Sequence, residues 1–139
     1  MGLFSFLFGK NTEVSNEQWQ ELKQSKEWKQ QEAEDKSFSK LLNRNIKGAK
    51  HEKEGRIDLA IKLYEKNISE NFEGNRPYDR LAIIYRKQKD LENEIRVLNK
   101  AIEVFSNLLK SSPRQDIKPK LEKFKSRLEK AKSIKKPLN

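Results

Sequence analysis

Two stretches of this chain lie in register with each other at an offset of 34 residues, and that offset constrains the fold more than any other feature. Gly48 aligns with Ala82, His51 with Tyr85, Gly55 with Lys89, Ala60 with Glu94, Ile61 with Ile95, Tyr64 with Leu98 and Ile68 with Ile102. Self-similarity at a fixed period of this length means that one supersecondary unit is used twice, and that neither copy buries its apolar face without the other. Within each copy the apolar residues recur every three to four positions, the spacing of a helix face. Phe38, Leu41, Leu42, Asn45/Ile46 and Ala49 trace one helix as far as Lys53, and Ile57, Ala60, Ile61, Tyr64 and Ile68 trace a second. Tyr78, Leu81, Ala82 and Tyr85 define a third, and Leu91, Ile95, Leu98, Ile102, Phe105 and Leu109 a fourth. No strand-like alternation competes with these patterns.

The punctuation agrees with the periodicity. Gly55 ends the first helix, as a residue able to take the left-handed conformation. Gly74 sits among polar turn-formers between Asn71 and Arg76, and Pro77 suits the first residue of the third helix, where its missing N–H costs nothing. Lys89-Asp90 is a short turn, and Ser111-Ser112-Pro113 closes the fourth helix. A last helix, roughly 115–134, places Ile117, Leu121, Phe124, Leu128 and Ala131 on one face and lysines elsewhere. At the other end, Ser15-Asn16-Glu17-Gln18 reads as a capping box that opens a polar helix over 15–36, with Trp19, Leu22 and Trp28 as its large apolar residues. The expected architecture is all-α. It comprises an apolar tail over 1–14, the polar helix 15–36, two antiparallel helical hairpins over 37–109 (about 41–74 and 75–108), a basic capping helix over 115–134 and a short tail over 135–139.

The hairpins resemble the tetratricopeptide repeat family. Tyr78-x-x-Leu81-Ala82-x-x-Tyr85 looks like the family's first helix and Ile95-x-x-Leu98-x-x-Ala101-Ile102 like its second. In the first unit, Gly55-x-x-x-x-Ala60-x-x-x-Tyr64 fits the turn glycine, the small residue and the aromatic. Small residues such as Gly48, Ala60, Ala82 and Ala101 let paired helices approach closely, and Tyr64, Tyr85 and Leu98 fill the wedges between them. The chain departs from the pattern at Arg44, where an opening aromatic belongs, at Glu94 in place of a small buried residue, at Lys89 in place of the turn glycine, and at Phe72 and Ser106 where a closing proline is usual. The resemblance implies a stacked pair of hairpins with a concave face lined by the first helix of each. Two repeats are few for a stand-alone stack, so the C-terminal helix is expected to cap one end and the N-terminal helix or a second copy of the chain the other.

Composition bounds the function. Only 34% of the 139 residues are hydrophobic against 37% charged, and the mean hydropathy is −1.02. Such a chain suits thin helical layers better than one thick core. Cysteine is absent, which removes disulfides, thiolate nucleophiles and thiolate metal sites and suits a reducing, cytoplasmic setting. One histidine and no cysteine build no common zinc site; no phosphate-binding glycine loop and no nucleophile–base pattern occurs, and no cofactor is implied. His51 aligns with a tyrosine and is expected to be structural. The chain is therefore expected to be non-catalytic. Of the formal charge of +10, the segment 106–139 contributes +8, so an anionic partner fits that end best.

By the resemblance, the expected partner is a protein or peptide seated on Asn45 and Glu52 of the first unit and on Arg76, Asp79, Arg80, Ile83 and Arg86 of the second. Two of these arginines in adjacent turns suit an acidic or carboxylate-bearing partner; alternatively they form a solvated face paired with Asp79 and Asp90. Leu3, Phe4, Phe6, Leu7 and Phe8 form an apolar cluster fit to pack on the domain itself, on a partner or on a membrane surface. Trp19 and Trp28 serve either as partner anchors or to dock their own helix. The lysines of the last helix read either as a solvated capping face or as a track for a nucleic-acid backbone.

Overall fold

The structure is a computed structural model that describes residues 14–135. The apolar cluster Leu3, Phe4, Phe6, Leu7 and Phe8 lies outside the described residues. The protein is all-α, with no strand among the described residues. Its helices are α1 (Asn16–Gln24), α2 (Lys26–Lys53), α3 (Ile57–Ser69), α4 (Arg76–Lys87), α5 (Leu91–Ser111) and α6 (Ile117–Lys135). None is long and apolar enough to cross a membrane. The chain divides into two compact units, with the division between Leu42 and Asn43, inside α2.

In the first unit the capping box forms as the sequence implies: Ser15 Oγ accepts from the Gln18 N–H at 3.2 Å and Gln18 Oε1 accepts from the Ser15 N–H at 2.9 Å. The helix stops much earlier than Lys36. Ser25 turns to an extended conformation with ψ 149°, its hydroxyl donates to the Leu22 carbonyl at 2.7 Å, and the same oxygen accepts from the Trp28 N–H at 3.1 Å. One serine thus ends α1 and caps α2, the competition with helical hydrogen bonding that short polar side chains set up. The expected break before Phe38 is missing, because no glycine or proline stands between Lys26 and Lys47 to end α2. Trp19 and Trp28 meet edge to face across the break, 5.9 Å apart, and Trp28 Nε1 donates to Glu32 at 2.9 Å.

The apolar face expected on α2 is only partly inside. Asn45 and Gly48 are buried and Leu41 and Ala49 half-buried, while Phe38 is 56%, Leu42 39% and Ile46 66% exposed.

In the second unit each of α4, α5 and α6 packs on the helix before it. The centre is aromatic. Tyr78 of α4, Phe105 of α5 and Phe124 of α6 are buried and meet edge-on, with centroids 6.2, 6.1 and 5.2 Å apart. Each such ring contributes about 2–3 kcal/mol of burial, and edge contacts of this kind add about 1 kcal/mol. The Tyr78 hydroxyl satisfies itself on the Phe72 carbonyl at 2.7 Å. Ala60, Tyr64, Leu81, Ala82, Tyr85, Leu98 and Ala101 complete the same core.

Between α2 and α3 the contact is more polar. A Cβ on Gly48 would lie 2.6 Å from Tyr64 Cε1, so Tyr64 fills the space that a glycine leaves on α2. Asn67 Nδ2 donates to Asn45 Oδ1 at 2.7 Å inside the structure. Arg44, at the position of the missing aromatic, pairs instead with Glu70 and donates to Asn67 Oδ1.

The turns after α2 and α4 repeat the same wiring 34 residues apart. Arg56 N–H donates to the His51 carbonyl at 2.7 Å and Gly55 N–H to Glu52 at 3.1 Å; Asp90 N–H donates to Tyr85 at 2.9 Å and Lys89 N–H to Arg86 at 3.0 Å. Both are Schellman closures. Gly55 has φ 80° and Lys89 φ 59°, so the lysine adopts the left-handed conformation that glycine adopts without strain.

All three tyrosines of the chain, Tyr64, Tyr78 and Tyr85, are in this core. Burial, and then the neighbouring Glu52 carboxylate, push the Tyr64 phenol up to about 12. Burial also holds Tyr78 and Tyr85 above the ordinary tyrosine range, Tyr85 aided by its hydrogen bond to Glu65. The fold disfavours each phenolate, so this stabilisation is complete below pH 10 and is lost as pH rises through the folded values. For Tyr64 that window runs from pH 10 to about 12. Alkaline titration at 295 nm is therefore expected to show no phenolate in the folded chain at pH 10, and a cooperative rise above it that coincides with loss of helix by circular dichroism. Phenolate absorbance appearing near pH 10 with helix intact would contradict the core described here.

Candidate interaction groove

Three clefts of the second unit share walls along α4. One, of about 640 Å³, has an apolar floor of Ala49, Ile57 and Ile84 and a charged wall of Glu52, Lys53, Arg76, Arg80 and Lys87. A second, of about 570 Å³, is lined by Asn75, Arg76, Asp79, Arg80, Ile83, Lys123 and Arg127. The third, of about 340 Å³, continues past Ile83 to Arg86, Glu94, Arg127 and Lys130. The groove is thus built on α4, with the end of α2 contributing to the first cleft and α6 to the other two.

Every carboxylate in this groove is held by an arginine. Glu52 takes the Arg80 guanidinium in a fork, with Nε 3.0 and 3.1 Å from its two oxygens and Nη2 at 2.6 Å. Burial pushes the Glu52 carboxyl up, but the Arg80 hydrogen bonds and charge overcome this and hold it below its ordinary value. The same hydrogen bonds hold the Arg80 guanidinium above its own. Asp79 accepts from Arg127 Nη1 at 2.6 Å and from Asn75 Nδ2 at 2.6 Å. Glu94, only 2% exposed, takes Arg86 Nε and Nη2 at 2.7 Å each, and that fork raises the Arg86 guanidinium above its ordinary value. Lys53, Arg76, Lys87, Lys123 and Lys130 line the same clefts with no hydrogen bond or ion pair to a side chain among the described residues. The groove is left cationic over an apolar floor.

Of the residues singled out in the sequence, Glu52, Arg76, Asp79, Arg80, Ile83 and Arg86 all line these clefts. Asn45 does not; it is buried against Asn67. The ion-pair partners also differ from the alternative pairing with Asp79 and Asp90. Asp79 pairs with Arg127 of α6, and Asp90 caps α5 by accepting from the Asn93 N–H at 3.2 Å. Sequence reasoning missed Lys53, Ile57, Ile84, Lys87, Lys123 and Arg127 as groove residues. Lys123 and Arg127 were legible only as members of a basic run, since the side of α6 that meets α4 depends on where Phe124 and Leu128 pack. His51 Nδ1 is a buried atom without a hydrogen-bond partner among the described residues, and the buried Tyr64 hydroxyl lies against the Glu52 carboxylate.

No protein-family model, curated protein or solved structure matches this chain.

Arg86 and Glu94 define one test. Removing the arginine strands a carboxylate at a buried position, whereas alanine at 94 leaves no buried charge to strand. Arg86→Ala is expected to destabilise by about 2–3 kcal/mol, and Arg86→Ala/Glu94→Ala is expected to recover most of that in urea unfolding. A double variant no more stable than Arg86→Ala would contradict this account.

Proposed function

We propose that this chain is a non-catalytic interaction module, a scaffold or adaptor of tetratricopeptide-like character that holds an acidic protein or peptide partner along α4. The supporting observation is the charge state of the groove. Its three carboxylates are each paired with an arginine, while Lys53, Arg76 and Lys87 beside the apolar floor, and Lys123 and Lys130 further along, make no side-chain hydrogen bond or ion pair among the described residues. An anionic segment with interspersed apolar side chains satisfies both features at once: its carboxylates meet lysine and arginine, and its apolar side chains cover Ala49, Ile57 and Ile84. No reacting group is needed for this role. The absence of cysteine is in keeping with work in the cytoplasm.

The test is fluorescence anisotropy on the full chain with a labelled, C-terminally amidated peptide of alternating Glu and Leu, its Gln counterpart, and single- and double-stranded oligonucleotides. The acidic peptide is expected to bind and the Gln peptide to bind far more weakly. Lys53→Glu/Arg76→Glu/Lys87→Glu is expected to weaken the acidic peptide by at least about tenfold with unchanged thermal unfolding. Undiminished binding by that variant would contradict the proposal. So would binding confined to the oligonucleotides, with a steep salt dependence that falls when the α6 lysines are neutralised.

A further inference from the structure

The groove's ion pairs are not equivalent. Glu94 is buried and Asp79 is tied to two partners, but Glu52 stands in the wall of the first cleft and offers its carboxylate to a single guanidinium, that of Arg80. The fork it makes is the one an acidic side chain of a bound partner would make at the same place. Two neighbours complete the arrangement. Arg76 is exposed beside the pair, makes no hydrogen bond or ion pair among the described residues, and acts on Glu52 through its charge alone. The buried Tyr64 hydroxyl lies against the same carboxylate, close enough for its hydrogen bond and charge to act on the phenol.

Resting on the reading of the groove given above, we propose that Glu52 is a built-in competitor that occupies Arg80 until a partner's carboxylate displaces it. The exchange conserves charge pairing at Arg80, because one carboxylate leaves as another arrives. It also sets what the groove selects. A lone carboxylate merely replaces Glu52, so a partner needs further anionic groups for Arg76 and Lys53 and an apolar side chain for the floor formed by Ala49, Ile57 and Ile84. The partner class is therefore a segment in which acidic and apolar side chains alternate closely, and Glu52 discriminates against isolated acids.

The experiment uses the full chain with the amidated Glu-Leu peptide, comparing wild type, Glu52→Gln, Arg80→Ala and the double variant. Glutamine keeps the shape of Glu52 but frees the Arg80 guanidinium. Glu52→Gln is expected to bind the peptide roughly fivefold more tightly, the factor by which an ion pair of ordinary strength lowers the competent fraction. Arg80→Ala is expected to bind more weakly than wild type, and adding Glu52→Gln to it is expected to bring no gain. An equal gain in both backgrounds would reduce Glu52 to a general charge effect and overturn the competitor. Unchanged or weaker binding by Glu52→Gln, with wild type binding normally, would overturn it while leaving the groove itself standing. Binding by neither wild type nor Glu52→Gln would overturn the groove and the competitor together. If Glu52→Gln lowers thermal stability, Glu52→Asp, whose carboxylate is held one methylene further from Arg80, provides the second reading and is expected to show the same gain.

Discussion

The edge-on meeting of Tyr78, Phe105 and Phe124 is the contact on which the second unit depends. Each ring comes from a different helix, so a single cluster fixes the spacing of α4, α5 and α6. The chain has little apolar material to spend elsewhere, with only about a third of its residues hydrophobic. Concentrating large rings at one point, and setting small residues such as Ala82 and Ala101 around them, closes a dense core from that limited supply. Because α4 is held from one side by this cluster, its other residues, Arg76, Arg80 and Ile83 among them, stand along the groove.

Electrostatics then shapes what the core leaves open. A groove with Glu52, Asp79 and Glu94 could have been neutral. Instead each carboxylate is matched to one arginine, and four lysines with Arg76 line the groove without a side-chain hydrogen bond or ion pair among the described residues. Arg127 and Asp79 also tie α6 to α4 at 2.6 Å, so the same set of charges that leaves the groove cationic helps hold its wall. Glu94 illustrates the point. Its carboxylate is buried on α5 and is satisfied by Arg86 of α4.

Much of the fold was legible because the apolar spacing is regular from Ile57 onward and the breakers are strong. Gly55, Pro77 and Pro113 each have a physical reason to end or begin a helix, and the α6 stripe from Ile117 to Ala131 is buried as its spacing implies. The region before Asn43 was less legible. Its apolar residues are sparse, and the decisive break falls at Ser25, a residue whose hydroxyl favours a helix end only when the backbone around it cooperates. Phe38, Leu42 and Ile46 look like core in a helical wheel and are exposed, since periodicity reports a face and not what covers it. The groove was half legible. Residues on α4 follow from the helix's own geometry, whereas the pairings of Arg80 with Glu52 and Arg127 with Asp79 join positions 28 and 48 residues apart, which no local pattern encodes.

The second unit is held here to be one cooperative body in which α6 is as integral as α4 and α5. Amide hydrogen exchange of the full chain measures this directly. The account predicts that amides near Tyr78, Phe105 and Phe124 exchange with opening free energies within about 1 kcal/mol of one another and of global unfolding. Rapid exchange throughout α6 while α4 and α5 stay protected would show the aromatic cluster to be dispensable, and would contradict it.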